Sequence, residues 1–294
     1  MHPYSPEGLF ALPPGIEELR RGISTGEIFR AMCVKCDEHH DLHLDLGPIR
    51  GRIPREEAQL GLAEGKVREI SILSRVGKPV CFQVLDFDRN GTAILSRRSA
   101  QLEARSYFLS TSCSGDILPA MVQSAADFGA FCDIGCGYTA LMRIDRCCIS
   151  RLRSTKELYR PGQMIYAAIH SLDDAEGLVN LTGRELLGTW EENAADFRQG
   201  QTVTGTVRSI MPYGIFVELT PNLSGLAEPV VNLEIGQKVS VHIRAILPKS
   251  HKIKLNILEP LPDTAPVAQP VYRLEGGHID RWEYFPGSRA VTCF

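Results

Sequence analysis

Apolar and polar residues alternate along many short stretches of this chain, which is the period of a half-buried strand. Val203, Gly205 and Val207 share one face of such a stretch. Ile215, Val217 and Leu219 continue an inner face on the next, and Val239, Val241 and Ile243 do so further on. Short strands at roughly regular spacing, punctuated by Gly and Pro, predict small antiparallel barrels rather than a helical domain.

The pattern repeats. GDILPAMVQSAADFGAFCDI (115–134) lies without a gap on GQTVTGTVRSIMPYGIFVEL (200–219), and GQMIYAAIHSLDDAEGLVNLT (162–182) lies on GQKVSVHIRAILPKSHKIKLN (236–256). A more diverged copy precedes both: GEIFRAMC (26–33) matches 115–122, HHDLHLDLG (39–47) matches 127–135, and GKPVCFQVLDFD (77–88) matches 162–173. Repetition at a fixed spacing sets the architecture before any single residue is interpreted. Asn90-Gly91 supplies a hairpin turn before the first copy's last strand, since both residues tolerate positive φ.

The expected fold is therefore all-β, with three consecutive five-stranded OB-type barrels joined by short α-helices and a C-terminal β-hairpin tail. The boundaries read as an N-terminal segment (1–24), a degenerate first barrel (25–98), a linker helix (99–113) and a second barrel (114–183). An acidic linker helix (184–198), a third barrel (199–259) and a Pro-rich linker with a terminal hairpin (260–294) follow. The helices are inferred from good helix formers in ARSYFLST and RELLGTWEENAADF. The Pro-rich stretch LPDTAPVAQP predicts an extended linker, and the hairpin is expected to turn at Gly276-Gly277.

Alternation also sorts faces. With Ala130, Cys132 and Ile134 inward, Phe131 and Asp133 point outward, and the same reasoning exposes Phe216 and Glu218. Phe128 and Tyr213 stand three residues earlier, at the strand entrance. An outward aromatic repeated at one register is better explained by a ligand than by packing under a loop or against a neighbouring barrel. Paired rings on such a barrel suit single-stranded nucleic acid, because every base has a face to stack, at roughly 1 to 3 kcal/mol per base.

The segments GQTVTGTVRSIMPYGIFVEL, LSGLAEP, GQKVSVHIRAI and KIKLNI resemble the S-one RNA-binding domain family, whose fold is a five-stranded OB-type barrel. The resemblance runs over about 25–259, closest in the third copy. It implies two strand-two aromatics, a strand-three His or basic residue, an acidic residue ending strand four and a basic residue on strand five. The second copy then offers Phe128, Phe131, Arg143 and Asp173, with Leu178 replacing the last basic residue. The third offers Tyr213, Phe216 and Lys252, with Glu228 and Leu247 at the other two positions. The first has His40 and His43 in place of the rings and retains Asp88, so its role is expected to lie in protein contacts. Arg208, Arg244 and Lys254 are further candidates on outer faces, as are Arg146, Arg151 and Arg153 in the crossover of the second copy.

The implied function is non-catalytic binding of single-stranded RNA, mRNA in particular, with translation at the small ribosomal subunit as the leading process. An RNA-decay or regulatory accessory, and a protein-interaction scaffold that has lost RNA binding, are the alternatives. No enzyme is expected: phosphate loop, nucleophile elbow and dinucleotide fingerprint are missing from the sequence, and Asp127-Phe128-Gly129 without the other kinase motifs is coincidence.

Charge refines this. The net charge is −3, which argues against binding dominated by phosphate attraction. Residues 1–110 sum to 0, 111–184 to −1, 185–197 to −4, 198–259 to +3 and the tail to −1, so the third barrel alone is basic. Nine cysteines in irregular positions fit a reducing cytoplasm. No apolar run approaches bilayer length, and MHPYSPEGLF lacks the basic start and apolar core of a signal peptide, so neither membrane nor export is expected. Cys33-Val34-Lys35-Cys36 with Asp37, Glu38, His39, His40 and His43 has zinc-like spacing. Cys33, however, occupies the inward position of Val122 and Val207, so neither metal nor cofactor is expected. Cys132 and Cys147-Cys148 read as packed residues.

Overall fold

The computed structural model describes residues 3–9, 12–265 and 270–294. It contains three closed five-stranded barrels. The first is built from β1 (Phe29–Cys36), β2 (Leu42–Leu46), β3 (Ile49–Ile53), β4 (Pro79–Phe87) and β5 (Ala93–Ser96). The second uses β6 (Ile117–Ala125), β7 (Gly129–Gly135), β8 (Tyr138–Arg143), β9 (Met164–Asp173) and β10 (Leu178–Thr182). The third uses β11 (Thr202–Met211), β12 (Gly214–Thr220), β13 (Leu223–Ala227), β14 (Lys238–Leu247) and β15 (Lys252–Pro260). In each, strands one, two and three form a meander, strand five runs parallel to strand three, and strand four closes the ring against strand one.

The alternation read from sequence holds for the cores. Ala130, Cys132 and Ile134 are buried, as are Ile215, Val217 and Leu219, and Val239, Val241 and Ile243. Cys33 is fully buried where Val122 and Val207 sit in the other barrels, and Cys147 and Cys148 are packed as expected. The three copies also share irregularities. A bulge falls between Cys33 and Lys35, between Val122 and Ser124 and between Val207 and Ser209, at one aligned position. A second marks strand four, between Val84 and Asp86 and between Ile243 and Ala245. An extra residue bends its strand and increases local twist, which a five-stranded sheet needs in order to close.

Several connections differ from expectation. The helix after the first barrel spans Arg97–Thr111, its first turn capped by the Ser96 hydroxyl accepting from Ser99 N–H. It is no free linker. Ala100, Ala104 and Phe108 recur every four residues and are fully buried, in one core cluster with Cys81 of β4 and the second barrel. The acidic helix is shorter than read, Trp190–Ala194, because Gly188 at φ +85° breaks the run and Thr189 and Glu192 start it anew with a capping box. A helix at Ile16–Thr25 was not anticipated. The β4–β5 turn needs positive φ at Gly91 but not at Asn90; Asp88 instead accepts from the Asn90 and Thr92 amides.

Part of the Pro-rich linker, 266–269, lies outside the described residues. The terminal hairpin exists, but it pairs β16 (Arg281–Glu283) with β17 (Val291–Cys293) and turns through Pro286-Gly287, not at Gly276-Gly277. Gly277 instead docks the tail, its carbonyl accepting from Ile117 N–H at 3.0 Å and so laying the segment along the second barrel. Trp282 and Tyr284 then join the core cluster of the third barrel with Trp190.

Candidate nucleic-acid interface

Strand pairing places equivalent residues of the three barrels in equivalent rows. In the third, Phe216 on β12 sits opposite Leu226 on β13, and Leu226 opposite Lys254 on β15. In the second, Phe131 faces Leu141 and Leu141 faces Asn180. In the first the row is His43, Arg52 and Ile94. Side chains across a row are direct neighbours on one face, so the second and third barrels each carry a ring, a leucine and a polar end group side by side. Neither leucine was singled out from sequence; the signal was the outward parity of LMR and LAE, one strand over from the rings.

Each of these rings is joined by its partner at the strand entrance. Phe128 and Phe131 meet edge to face with centroids 5.9 Å apart, and Tyr213 and Phe216 do so at 6.3 Å. Phe128 is 58% exposed and Tyr213 67%. A large apolar ring held open to water at the head of a strand is costly to leave uncovered. The outer face of the third barrel adds exposed Ile210, Met211 and Leu226.

The charged candidates divide. Lys252 and Lys254 are exposed on β15, on either side of buried Ile253. Arg244 is 56% exposed and pairs with exposed Glu228 at 3.1 Å, an open pair of little net worth that a phosphate can displace. Arg143 is likewise open and pairs with Asp145 at 3.0 Å. Asp173 is exposed at the end of β9 and accepts from the Glu176 amide, as its counterpart Asp88 does from its own turn.

Arg208 stands apart from this surface. It points away from its own barrel, as alternation requires, but the second barrel covers it. Its side chain is 10% exposed, bonded by Glu218 at 2.8 and 2.9 Å and by Glu157 of the second barrel. Glu218 is correspondingly buried rather than open to water. Asp133 departs from expectation in the same way. It is 1% exposed, because the N-terminal segment and the first barrel pack over it. Alternation assigns a side chain to the outside of its barrel; it says nothing of a second barrel lying there.

The first barrel's row is occupied by internal ion pairs. His43 bonds Asp37 at 2.7 Å and Arg52 bonds Asp41 at 3.0 Å. His40 and Arg55 both approach Glu69, at 3.5 and 2.5 Å. Asp37 is held down at about 2, first by its hydrogen bond to His43. These cations are therefore matched at home.

Metal chemistry finds little footing at the first barrel: burial pushes the Cys33 thiol up to about 11, against the deprotonation a ligand needs. Among the described residues, Cys113, Asp116 and His278 bring ligand atoms within 4.8 Å of one another. Asp116 and His278 are hydrogen-bonded at 2.8 Å and pin the tail to β6.

No family model matches the chain. Curated relatives do. The small ribosomal subunit protein bS1 homolog of Bacillus subtilis is 28% identical over 274 residues, covering 87% of this chain and 69% of that protein. The homolog of Bacillus cereus is 26% identical over 82% of this chain and 65% of its own length. The small ribosomal subunit protein bS1 of Leuconostoc lactis is 27% identical over 74% and 53%. Among solved structures, a multidomain protein with nucleic acid binding domains from Streptococcus pneumoniae matches 79% of this chain and 73% of its own at 14% identity, with a TM-score of 0.26. The likeness to the S-one ribosomal proteins thus extends over most of the chain, which spans about half to two thirds of the length of these relatives.

Proposed function

We propose that this protein binds single-stranded RNA without catalysis, through the outer faces of its second and third barrels, and that it acts on mRNA in cytoplasmic translation at the small ribosomal subunit. The observation that carries this reading is the pair of edge-to-face ring platforms, Phe128 with Phe131 and Tyr213 with Phe216, at one register of two barrels. Bases stack on such rings regardless of sequence. Leu141 and Leu226 widen each platform, and Arg143, Arg244, Lys252 and Lys254 lie beside them for the phosphates. The bS1 relatives support the process. Among the described residues no helix is long and apolar enough to cross a membrane.

The test is binding of a fluorescent single-stranded RNA to the full chain. Phe131→Ala and Phe216→Ala are each expected to weaken it by roughly 1 to 3 kcal/mol, and His43→Ala to leave it unchanged. Tagged protein recovered from its host should carry mRNA and small-subunit proteins. An absence of RNA binding by the full chain, with a specific protein partner recovered instead, would favour the scaffold reading.

A further inference from the structure

The outer face of the second barrel does not open to bulk solvent as that of the third does. The long connection between β3 and β4, residues 54–78, reaches across and leaves a cleft of about 870 Å³. One wall is the barrel's own row, with Phe131, Leu141 and Asn180, and the other includes Val67, Ile70 and Lys78 of the first barrel. The separation of the walls is fixed. Gln101, buried on the helix between the barrels, accepts from Leu60 N–H and donates to Gly137 O, both at 2.8 Å. One amide therefore ties the connection of one barrel to the β7–β8 turn of the next.

Three features of this cleft ask for an anionic, partly apolar occupant. Ile70 is 65% exposed on its wall, facing a ring and leucines, so an apolar slot exists with nothing in it from this chain. Arg75 and Arg97 are engaged by Glu7, but Lys66, Lys78 and Arg105 have no carboxylate within ion-pair distance among the described residues, against Glu64 and Glu176 on the same walls. Burial, and then the neighbouring Arg75 charge, press the Lys78 ammonium below the usual lysine range, the mark of a site short of negative charge. Finally, the Ser71 hydroxyl and Arg75 Nε are covered and lack hydrogen-bond partners, where buried polar groups ordinarily have one.

We infer that this cleft is a two-sided RNA clamp, in which the β3–β4 connection of the first barrel closes over a base stacked on Phe131 while Lys66, Lys78 and Arg105 take its flanking phosphates. The inference rests on the RNA-binding reading above and gives the first barrel a part in it that its own ion-paired face does not have. The volume falls within the ~300–1,000 Å³ of ordinary ligand pockets, enough for on the order of one or two nucleotides. Arg105 is positioned by the β9–β10 turn. A Cβ at Gly177 would collide with its guanidinium, and Gly177 is at φ +63°.

The full chain carrying Lys66→Ala and Lys78→Ala should lose about 2 from the steepness of log affinity against log salt, roughly 0.9 per phosphate released. Photo-crosslinking with 4-thiouridine RNA should label both residues 59–78 and the β7–β8 wall, and the double variant should lose the first label. Both lysines lie at the surface, and an unchanged melting temperature will show that the fold is intact. An unchanged slope and no label on 59–78, while Phe131→Ala still weakens binding, would overturn the clamp and leave the open-face reading standing. No binding by the unmodified chain would overturn both.

Discussion

Glu7 meets Arg97 in a fully buried bidentate pair, both bonds 2.7 Å, across 90 residues of sequence. The pair is the keystone of the junction between the first two barrels. Glu7 also accepts from Cys81 N–H of β4 and donates its own N–H to Asp133 of β7. Arg97 in turn donates to Ala58 O of the connection that walls the cleft. Burial alone would raise the Glu7 carboxyl, but the Arg97 charge and hydrogen bonds, then Arg75, outweigh it and hold the carboxyl below its ordinary value.

Replacing Glu7 with Ala leaves the Arg97 charge buried and unpaired, a change that costs about 3 to 5 kcal/mol. Because the loss falls on one junction, calorimetry should show the first barrel melting separately and earlier while the third keeps its transition. A single unsplit transition at the original temperature would mean that the pair does not hold the junction.

Asp133 adds a pH dependence of opposite sign to that of Glu7. Burial, then the Glu7 charge, raises it to about 7, so between its unfolded value near 4 and pH 7 the folded state binds more protons than the unfolded one. Its stabilising contribution is complete below about pH 4 and declines as pH rises to 7. Glu7, with its lowered value, contributes above its unfolded pKa and loses that contribution as pH falls below it. Junction stability should therefore fall from about pH 4.5 toward 7 and fall again in stronger acid. Asp133→Asn should remove the slope on the neutral side. Its baseline should be lower, since an amide NH₂ replaces one of the acceptors that Glu7, Gly135 and Gly137 donate to.

The barrels were legible in sequence because a strand's own period records which side chains its core buries. Cys33, Val122 and Val207 could be aligned as inward residues from parity alone, and the ring pairs followed as their outward neighbours. What lay between barrels was not legible. Asp133, Glu218 and Arg208 all point out of their barrels, as parity requires, yet each is buried by a different part of the chain. The helix 97–111 was recognisable as a helix, but its Ala100, Ala104 and Phe108 face gave no sign of which barrel it covers. The turn of the tail was misplaced because Gly276-Gly277 looks like a hairpin turn, whereas the pairing was decided by Trp282 and Tyr284 entering a core formed elsewhere.

The tail's contribution can be measured at Trp282. It is buried, with the Arg184 guanidinium 5.9 Å from its ring centroid, and its indole N–H has no partner. Trp282→Ala should cost about 3 to 5 kcal/mol, as large-to-small core changes of aromatics do. Trp282→Phe should cost far less, because it keeps a ring in the core and removes a donor that was already unsatisfied. Urea unfolding of the two variants separates them; equal losses would show that the indole is held by contacts other than ring packing.

The third barrel's open face predicts how RNA affinity responds to salt. Lys252 and Lys254 are exposed beside the Tyr213 and Phe216 platform, Arg244 is held only by an open pair with Glu228, and Arg208 is locked by Glu157 and Glu218. With so few cations free to meet phosphate, log affinity of the third-barrel site should fall against log salt with a slope on the order of −1 to −3. Lys252→Ala with Lys254→Ala should flatten it, whereas Tyr213→Ala and Phe216→Ala should lower affinity equally at every salt concentration, because stacking releases no counterions. Arg208→Ala should act differently again. It removes the partner of two carboxylates at the junction of the second and third barrels, so its effect should appear in the melting temperature and not in the salt slope. A slope change in Arg208→Ala without loss of stability would show that this arginine leaves its carboxylates for phosphate when RNA is bound.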